Sequence, residues 1–398
     1  MNFSSLNKYI LLTSNAYLPN RGGVENSLYY LARAFSEKGY NVIILISDVG
    51  WSPAYVDEII ENVEVRRYRT RFINSKIALP FNGIIVLMNL LSQFIEIRKR
   101  YSPVLTVSRY HLTTLLATMA GLKPQCYLIP GVVKYQDSVK NLQSNPGLSR
   151  SMILRLKKRY HMWVQKLALS FVDRCLVFSE TMFKQVATVA SPKDTVSIVK
   201  PGVDCDFFKP LSEQAKKALK KDSSIFENDF VFLSVGRMVR AKGFDLLVDA
   251  MRSLSQCKLV LVGDGPELEE LKRRANELGM SNQIEFIGQS SNPLKYYQIA
   301  DAFVMSSRYE PLGQTILEAL ACDLPVVAFR SGPGVDTATE EVIGKYAFYA
   351  DDANAESLAE AMQRCMECKF NNGLAYQPRQ LALTSFSWKT LAGKLLNE

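Results

Sequence analysis

The sequence predicts an α/β protein made of two doubly wound domains that face a central cleft. The chain has 398 residues, a length that favours two domains over one. Strand-like runs alternate with helical patterns along the chain, which is typical of parallel α/β architecture. Pro201-Gly202 divides the runs into two similar series, and two similar halves imply a cleft between them.

The first series predicts a domain over residues 1–199. A strand-like run at 9–13 precedes a helical pattern at 24–38, in which apolar residues recur at helical spacing. Further strands are expected at residues 42–47, 63–68, 104–107, 126–129 and 174–178.

The second series predicts a domain over residues 200–384. Its strands are expected at residues 230–235, 258–262, 284–287, 302–305 and 325–329. Ligands of open parallel sheets bind beyond the carboxyl ends of the strands, so the residues that directly follow each strand are the candidates for function.

Composition excludes several classes of protein. A content of 47% hydrophobic and 22% charged residues is globular, which excludes a disordered chain. The seven cysteines are odd in number and lie in apolar segments, so we expect reduced core residues. The first residues do not form an export signal, and polar residues interrupt the most apolar stretch, 77–95. We therefore expect a protein that is cytoplasmic or peripheral on the inner face of the cell membrane.

The charge is unevenly distributed. Residues 1–200 contain 26 Lys and Arg against 12 Asp and Glu, net +14, whereas the remainder has a net charge of −5. The basic half suggests an anionic neighbour, which is a lipid surface, a phosphorylated acceptor or nucleic acid. Nucleic acid is not expected, because no reading motif accompanies the charge. Interleaved cations and apolar residues at 147–170 fit a helix on an anionic membrane and a solvated connecting helix equally.

Two cations follow the strand at 230–235. Gly236 and Arg237 come directly after it, and Lys242 precedes a helix expected to begin near Phe244. A guanidinium, an ammonium and a helix amino end would then converge, and a diphosphate fits such a site. On this motif alone, two solvated surface cations are an equal alternative.

Two glutamates follow the strand at 302–305. Pro311 suits a first helical position, so Glu310 would precede the helix and Glu318 would lie about two turns into it. Glu310 would accept hydrogen bonds from sugar hydroxyls, and Glu318 would bind both hydroxyls of a ribose. If the pair stood alone, a helix N-cap at Glu310 and a solvated carboxylate at Glu318 would be the preferred alternative. Free helix N–H groups would point into the cleft from Gly313, Gln314 and Thr315.

Three further motifs are weaker. The pair Gly22-Gly23 joins a strand to a helix, and paired glycines let a backbone approach a ligand closely. Residues 263–266 (Gly-Asp-Gly-Pro) lack the third glycine of a dinucleotide fingerprint, which disfavours a dehydrogenase and predicts a tight turn. Residues 204–206 (Asp-Cys-Asp) have an Asp-x-Asp pattern but lie in a turn where the second domain begins, so we interpret them as structural and expect no metal site.

In this order the motifs resemble those of family 4 of the glycosyltransferases, the group 1 glycosyl transferases with the GT-B fold. Each motif is common, but the ordered set is specific and extends over nearly the whole chain. The set consists of Gly22-Gly23-Val24-Glu25, Pro201-Gly202-Val203-Asp204, Gly236-Arg237 with Lys242-Gly243, Val262-Gly263-Asp264-Gly265-Pro266, Phe286-Ile287-Gly288, and the E-x7-E motif from Glu310 to Glu318.

The resemblance implies two Rossmann-like domains, of which the second binds the donor. Arg237 and Lys242 would bind its diphosphate without a metal or other cofactor, Glu310 the transferred sugar, and Glu318 the ribose. Gly23 would approach the phosphates or the acceptor from the first domain. The rest of the implied donor site is Gly236, Gly313, Gln314 and Thr315. Residues 385–398 look like the family's last helix, which crosses back onto the first domain.

The resemblance also implies a reaction. A retaining hexosyltransferase would move a sugar from a nucleotide-diphosphate donor to a glycan or lipid-linked acceptor, in the synthesis of surface polysaccharide, such as lipopolysaccharide, or of glycolipid. Electrostatic stabilisation of the departing diphosphate would be the largest contribution. Peripheral contact with an anionic membrane would bring the enzyme to a lipid-linked acceptor.

One position departs from the family. Members often carry a histidine in the turn after the fourth or fifth strand, where this sequence has Ile129-Pro130-Gly131. His111, together with Gly22, is the nearer acceptor-side candidate, and a helix-start or core histidine is its preferred alternative. The departure leaves open a nucleotide-binding scaffold without turnover, against which the intact cations and glutamates argue.

Overall fold

The computed structural model contains two α/β halves, each built around a mainly parallel sheet. It describes residues 8–18, 22–48, 58–61, 63–70, 79–136, 148–190, 195–222, 229–370 and 377–397. The predicted absence of an export signal in the first residues lies outside the described residues. So do the ends of three predicted segments, at residues 77–78, 147 and 398.

The first sheet has eight strands. They are β1 Tyr9–Thr13, β2 Asn41–Ser47, β3 Glu58–Ile60, β4 Val63–Tyr68, β5 Leu105–Ser108, β6 Gln125–Leu128, β7 Arg174–Val177 and β8 Val196–Ile198. The order is β3-β4-β2-β1-β5-β6-β7-β8, and all pairs are parallel except β3 with β4. The chain therefore proceeds in one direction from β1 to β2 and in the other direction from β5, so the order reverses between β1 and β5.

Six helices accompany this sheet. They are α1 Gly23–Glu37, α2 Leu79–Tyr101, α3 His111–Met119, α4 Val133–Gln136, α5 Leu148–Phe171 and α6 Glu180–Ala187. Apolar residues of α1 and α6 pack on one face of the sheet, and those of α2 and α3 pack on the other. Helix α5 packs against α3 and leaves its outer side exposed.

The second sheet has six parallel strands in the order β11-β10-β9-β12-β14-β16. These are β9 Phe230–Val235, β10 Cys257–Val262, β11 Ile284–Gly288, β12 Ala302–Met305, β14 Val326–Phe329 and β16 Ala347–Ala350. A separate two-stranded ladder pairs β13 Tyr309–Glu310 with β15 Asp336–Thr337. This ladder lies directly after β12, at the carboxyl edge of the sheet.

The helices of the second half surround its sheet with buried apolar residues on both faces. They are α7 Glu213–Asp222, α8 Phe244–Ala250, α9 Leu268–Glu277, α10 Leu294–Ile299, α11 Gln314–Ala321, α12 Thr339–Ile343, α13 Ala355–Phe370 and α14 Pro378–Ser385, after which the chain continues into α15 Trp388–Leu395. Single 3₁₀ turns occur at Arg240–Lys242, Met251–Ser253 and Gly344–Tyr346.

The last helix, α15, packs on the first half of the chain. Trp388, Leu391 and Leu395 belong to the core of the first sheet, and the Trp388 ring stacks on Tyr30 of α1 with centroids 5.7 Å apart. The Arg174 guanidinium donates to the carbonyls of residues 394 and 395 at the end of α15. The first core is therefore completed by residues almost 200 positions away from its last strand.

The predicted α/β class with two parallel sheets is confirmed, and the bounds of each predicted strand are correct to within one residue. The strands that were not predicted include three sheet edges, β3, β8 and β16. Edge strands are short and partly exposed, so they carry a weak apolar signal. The two short strands of the ladder, β13 and β15, were also missed.

All seven cysteines are free, as predicted, and five of them are buried, whereas Cys205 and Cys368 are partly exposed. Among the helices of the described ranges, none combines the length and apolar character that a membrane crossing requires. No group of three or more metal-binding side chains occurs within these ranges either.

Candidate functional site

The carboxyl edges of the two sheets meet at a narrow interface. The Gln314 amide at the start of α11 donates to the Gly202 carbonyl, 3.0 Å away, and a Cβ placed on Gly23 would lie 4.0 Å from the Cβ of Gln314. Ser179, directly after β7, donates to the Pro311 carbonyl at 3.4 Å. The glycine turn of the first half and the E-x7-E segment of the second therefore face each other.

Two further contacts hold the halves together beside this interface. The Glu341 carboxylate of α12 accepts hydrogen bonds from the backbone N–H groups of Glu180 and Thr181, at the amino end of α6. The Gln185 side chain donates to Asp336 at 2.8 Å. A carboxylate at a helix amino end is favoured by the helix dipole and by the unpaired N–H groups there.

Lys242 and Glu310 form an ion pair at this interface. Lys242 ends the 3₁₀ turn after β9, and its stem runs past Gly236, where an added Cβ would lie 3.7 Å from the Lys242 Cε. A Cβ on Gly313 would lie 3.5 Å from the Glu310 Cγ. Residues of two separate sequence motifs are thus neighbours, and the Lys242 ammonium neutralises the Glu310 carboxylate.

The backbone that carries Lys242 is fixed by Gly243. This glycine has a φ of +63°, and an added Cβ would lie 2.0 Å from the Ser306 carbonyl oxygen. Ser306 in turn donates from its hydroxyl to the Lys242 carbonyl at 2.9 Å. These contacts hold the turn after β9 against the end of β12, and they fix the position of Lys242 relative to Glu310.

Arg237 follows β9 at the carboxyl edge of the second sheet, and its side chain is exposed. Its loop is held by backbone hydrogen bonds, from Gly236 to Val262 and from Met238 to Asp264. The predicted tight turn at residues 263–266 supports this loop, because an added Cβ on Gly263 would lie 1.9 Å from the Gly236 carbonyl oxygen. Among the residues that the structure describes, the Arg237 guanidinium contacts neither Lys242 nor Glu310.

The helix that carries Glu318 begins later than predicted. Pro311 does not occupy the first helical position, since α11 begins at Gln314 and its N-cap is Gly313, with a φ of +82°. The prediction was wrong because Glu310 pairs with β15 in the ladder, so the helix begins only after this strand and its turn. Glu318 consequently lies just over one turn into α11, and the N-cap alternative for Glu310 is also wrong.

Glu318 is buried, with only 7% of its surface exposed, so the alternative of a solvated carboxylate is wrong. The Tyr297 hydroxyl donates to its Oε2 at 2.7 Å. Burial raises the pKa of the Glu318 carboxyl to about 7, and the Tyr297 hydrogen bond opposes this effect in part. The Glu318 carboxyl group therefore titrates near neutral pH. The first N–H groups of α11, at Gln314 and Thr315, precede its first helical hydrogen bond.

The glycine turn of the first half allows the start of α1 to lie close to the start of α11. Gly22 is the N-cap of α1 with an extended backbone, and Gly23 is the first residue of the helix. An added Cβ on Gly22 would lie 2.7 Å from the Glu25 carboxylate. The turn thus brings the amino end of α1 against the start of α11 with little room between them.

His111 is the first residue of α3 and is buried. Its Nε2 lies 2.9 Å from Nδ1 of His161 on α5, so one ring donates and the other accepts. Burial, with His161 as a second cause, lowers the pKa of the His111 imidazole to about 3. His111 is therefore neutral at pH 7, and its described partner lies on a helix of the first half.

The residues of the Asp-x-Asp pattern form a turn. Asp204 accepts hydrogen bonds from the backbone N–H groups of Asp206 and Phe207, both at 3.0 Å, and lies 3.6 Å from the Arg33 guanidinium. Its oxygens are used within the turn and in a contact with α1.

Arg109 was missed by the sequence analysis. It directly follows β5, and its guanidinium is almost completely buried. A cation directly after a strand of a parallel sheet is the same signal that selected Arg237, whereas the residue predicted for this region was His111, two residues later. The signal was present and could have been used.

The fold and the interface define a class. Two mainly parallel α/β domains meet at the carboxyl edges of their sheets, and the second domain carries a paired lysine and glutamate at its edge; this is the GT-B architecture. Two family models match in sequence: "Glycosyltransferase Family 4" over residues 21–207 and "Glycosyl transferases group 1" over residues 215–380. The chain belongs to the group 1 and family 4 glycosyltransferases.

Curated relatives match part of the chain. A mannosylfructose-phosphate synthase of Agrobacterium fabrum is 31% identical over 50% of this chain and 46% of its own length. A lipopolysaccharide core biosynthesis glycosyltransferase, LpsE, of Rhizobium meliloti is 37% identical over 34% of this chain and 38% of its own length. The matched stretches thus span about half or less of these relatives.

A solved structure matches almost the whole chain. The Anabaena protein HepE, crystallised with UDP and glucose, superposes with a TM-score of 0.76 and 18% identity over 98% of both chains. At this identity the likeness concerns the fold.

Proposed function

We propose that this protein is a retaining glycosyltransferase that moves a hexose from a nucleotide-diphosphate donor to a glycan or lipid-linked acceptor, in surface polysaccharide or glycolipid synthesis. The observation that carries the proposal is the ion pair of Lys242 with Glu310 at the carboxyl edge of the second sheet. It supplies a cation for the diphosphate and a carboxylate for the sugar within one contact.

Donor binding would exchange partners within this pair. The Lys242 ammonium would turn from Glu310 to the diphosphate, and the freed carboxylate would accept hydrogen bonds from hydroxyls of the transferred sugar. Arg237 would add a second cation from the rim, and the first N–H groups of α11 would face the phosphates. In this proposal no metal or other cofactor is needed, because these groups neutralise the leaving diphosphate.

Glu318 would bind the ribose of the donor. Its carboxyl group is buried beside Tyr297, so hydroxyls that approach it replace little water and find a strong acceptor once it is ionised. The first domain, residues 1–199, would hold the acceptor. Departure and attack on one face of the sugar would retain its configuration, and the acceptor hydroxyl would pass its proton to the leaving phosphate.

The outer side of α5 supports contact with a membrane. Met152, Leu156, Tyr160 and Trp163 recur at helical spacing along one stripe, and each is 44 to 61% exposed. The exposed cations Arg155, Arg159 and Lys166 flank this stripe. A stripe of apolar side chains beside cations suits the surface of an anionic bilayer better than solvent. It would bring the basic first domain to a lipid-linked acceptor.

Co-sedimentation with vesicles tests this location. Phosphatidylglycerol vesicles should retain the wild-type protein, and phosphatidylcholine vesicles should retain less. Trp163→Ser with Leu156→Ser should abolish retention, whereas Phe207→Ser, which removes an exposed ring on the turn before α7, should not. Equal retention of all three proteins would exclude α5 as the docking element.

The enzymatic proposal is tested with a panel of nucleotide sugars. A matching donor at 100 times its Kd should stabilise the protein by about 2.7 kcal/mol, which raises the melting temperature by several degrees. Arg237→Ala should abolish most of that shift, and an unchanged shift would mean that the diphosphate lies elsewhere. Donor binding without release of nucleoside diphosphate, across a broad set of acceptors, would support a scaffold without turnover.

Lys242→Gln provides the kinetic test. We expect kcat/KM to fall about 10² to 10³-fold, as for the loss of one donor to a developing negative charge. Lys258→Gln is a matched control, because the Lys258 side chain is also 24% exposed and also forms one ion pair, but lies at the amino end of β10. A Lys242 variant as active as the Lys258 variant would refute the assignment.

A further inference from the structure

Arg109 lies where the strand order of the first sheet reverses. Its backbone N–H donates to the Thr13 carbonyl at 2.8 Å, which joins the end of β5 to the end of β1. The chain leaves β1 in one direction and β5 in the other, so the helices that follow diverge and leave a crevice between these two strand ends. Open α/β sheets bind ligands at such a switch point.

The Arg109 guanidinium is buried, and two of its nitrogens lack a hydrogen-bond partner among the described residues. Only 4% of the residue is exposed, and within the described part of the chain neither Nε nor Nη1 has a hydrogen-bond acceptor. The guanidinium carbon lies 5.4 Å from the centre of the Phe178 ring, which covers one of its faces. An unpaired buried cation is strongly unfavourable, so a fold that retains one calls for a ligand that pairs with it.

The surroundings of Arg109 are those of a ligand site rather than of a structural ion pair. The carboxylate whose charge favours the ionised form of Arg109 is that of Glu25, in the first turn of α1, yet the two form no ion pair among the described residues. The amino end of α1 adds N–H groups on the same side. The Lys242 and Glu310 pair belongs to the opposite domain, so the donor diphosphate already has its own cation.

We propose that Arg109 binds an oxyanion, a phosphate or a carboxylate, that is carried by the acceptor. This inference rests on the proposed function, since it names the class of acceptor for the same cleft. Arg109 would hold the acceptor by its charged group and leave a hydroxyl free to approach the sugar bound in the second domain. The net charge of +14 in residues 1–200 would draw such an acceptor to the cleft.

The first test is the stability of the protein without ligand. Arg109→Met keeps the apolar stem and removes the uncompensated charge, so we expect the melting temperature to rise by about 2 to 4 °C. Arg174→Met is the contrasting variant, because Arg174 donates to two carbonyls of α15, and it should lower the melting temperature. A fall for Arg109→Met would make Arg109 a structural residue and overturn the proposal.

The second test uses inorganic phosphate and, in parallel, acetate, each at constant ionic strength against chloride. At least one of the two should raise the melting temperature of the wild-type protein and of Lys242→Gln, and the rise should vanish in Arg109→Met. A rise that persists in Arg109→Met but vanishes in Lys242→Gln would place the anion in the donor site. That result, or no rise with either anion, would overturn the proposal.

Binding of nucleoside diphosphates separates this proposal from the proposed function. We expect Arg109→Met to bind them as the wild-type protein does. If the wild-type protein binds none, the donor site is wrong, whereas the dependence of the phosphate effect on Arg109 still stands. If the diphosphates bind and the oxyanion effect does not depend on Arg109, the acceptor class alone is wrong.

Discussion

Replacing Glu318 with glutamine should stabilise the protein at alkaline pH and change it little at acidic pH. The pKa of the Glu318 carboxyl is about 7 in the folded protein, because of burial, against an ordinary value of 4.5. The folded state therefore binds this proton more tightly than the unfolded chain does. The stability from this group is fully present below pH 4.5 and is lost as the pH rises through 7.

The magnitude follows from these two values. At about 1.4 kcal/mol for each pH unit between them, the loss approaches about 3.5 kcal/mol well above pH 7, and about 2.5 kcal/mol of it falls between pH 5 and pH 8. Glutamine keeps an oxygen for the Tyr297 hydroxyl and has no proton to lose.

Urea unfolding at pH 5 and pH 8 measures the effect. The free energy of unfolding of Glu318→Gln, relative to the wild-type protein, should grow by about 2.5 kcal/mol between the two pH values. Glu277→Gln, on the exposed side of α9, should follow the wild-type curve within about 0.5 kcal/mol. Parallel curves for Glu318→Gln and the wild-type protein would show that the carboxyl is ionised throughout this range.

Three further outcomes follow from the same contacts. Donor binding near pH 7 should release protons, because ribose hydroxyls favour the ionised form of Glu318; calorimetry in two buffers of different ionisation enthalpy detects this, and Glu318→Gln should lose it. Gly243→Ala should lower the free energy of unfolding in urea by at least about 2 kcal/mol, because the added Cβ would meet a backbone carbonyl. Gly279 has a φ of +71° but open space around it, so Gly279→Ala should lower this free energy by about 1 kcal/mol. Equal losses for the two variants would contradict the geometry. Trp388→Ala should cost about 3 to 5 kcal/mol and Phe207→Ala, an exposed ring, much less; a small effect at Trp388 would mean that α15 is dispensable.

The fold was predictable because its signal is repeated. Each central strand is a continuous apolar run, and each helix has one apolar face, so errors at single residues do not change the class. The order of the motifs located the carboxyl edges, where Lys242 and Glu310 meet. Their ion pair was not predicted, since the sequence gives no distance between residues 68 positions apart.

Local backbone geometry limited the prediction of the rest. The start of α11 depended on whether Glu310 continued into the helix or paired with a strand, and that strand, Asp336–Thr337, has two residues and no periodicity. Burial decided the state of Glu318, and burial arises from the packing of Tyr297 and the neighbouring helices, which residue spacing does not encode. Arg109 was equally visible in the sequence, but the lack of hydrogen-bond acceptors for its Nε and Nη1 among the described residues is a property of the folded chain alone.

The position of α15 bears on how the protein is made. Since the first core lacks Trp388, Leu391 and Leu395 until residues 388–395 have been synthesised, a ribosome-bound chain carries an incomplete first half after all strands of the second sheet have been synthesised. The domain nearest the amino terminus usually completes its folding first, whereas here the first half completes its core only after the second half has been translated. A fragment that ends near residue 199 should expose the apolar groove that α15 fills, and it should aggregate. The first half therefore depends on residues that are translated after the second half.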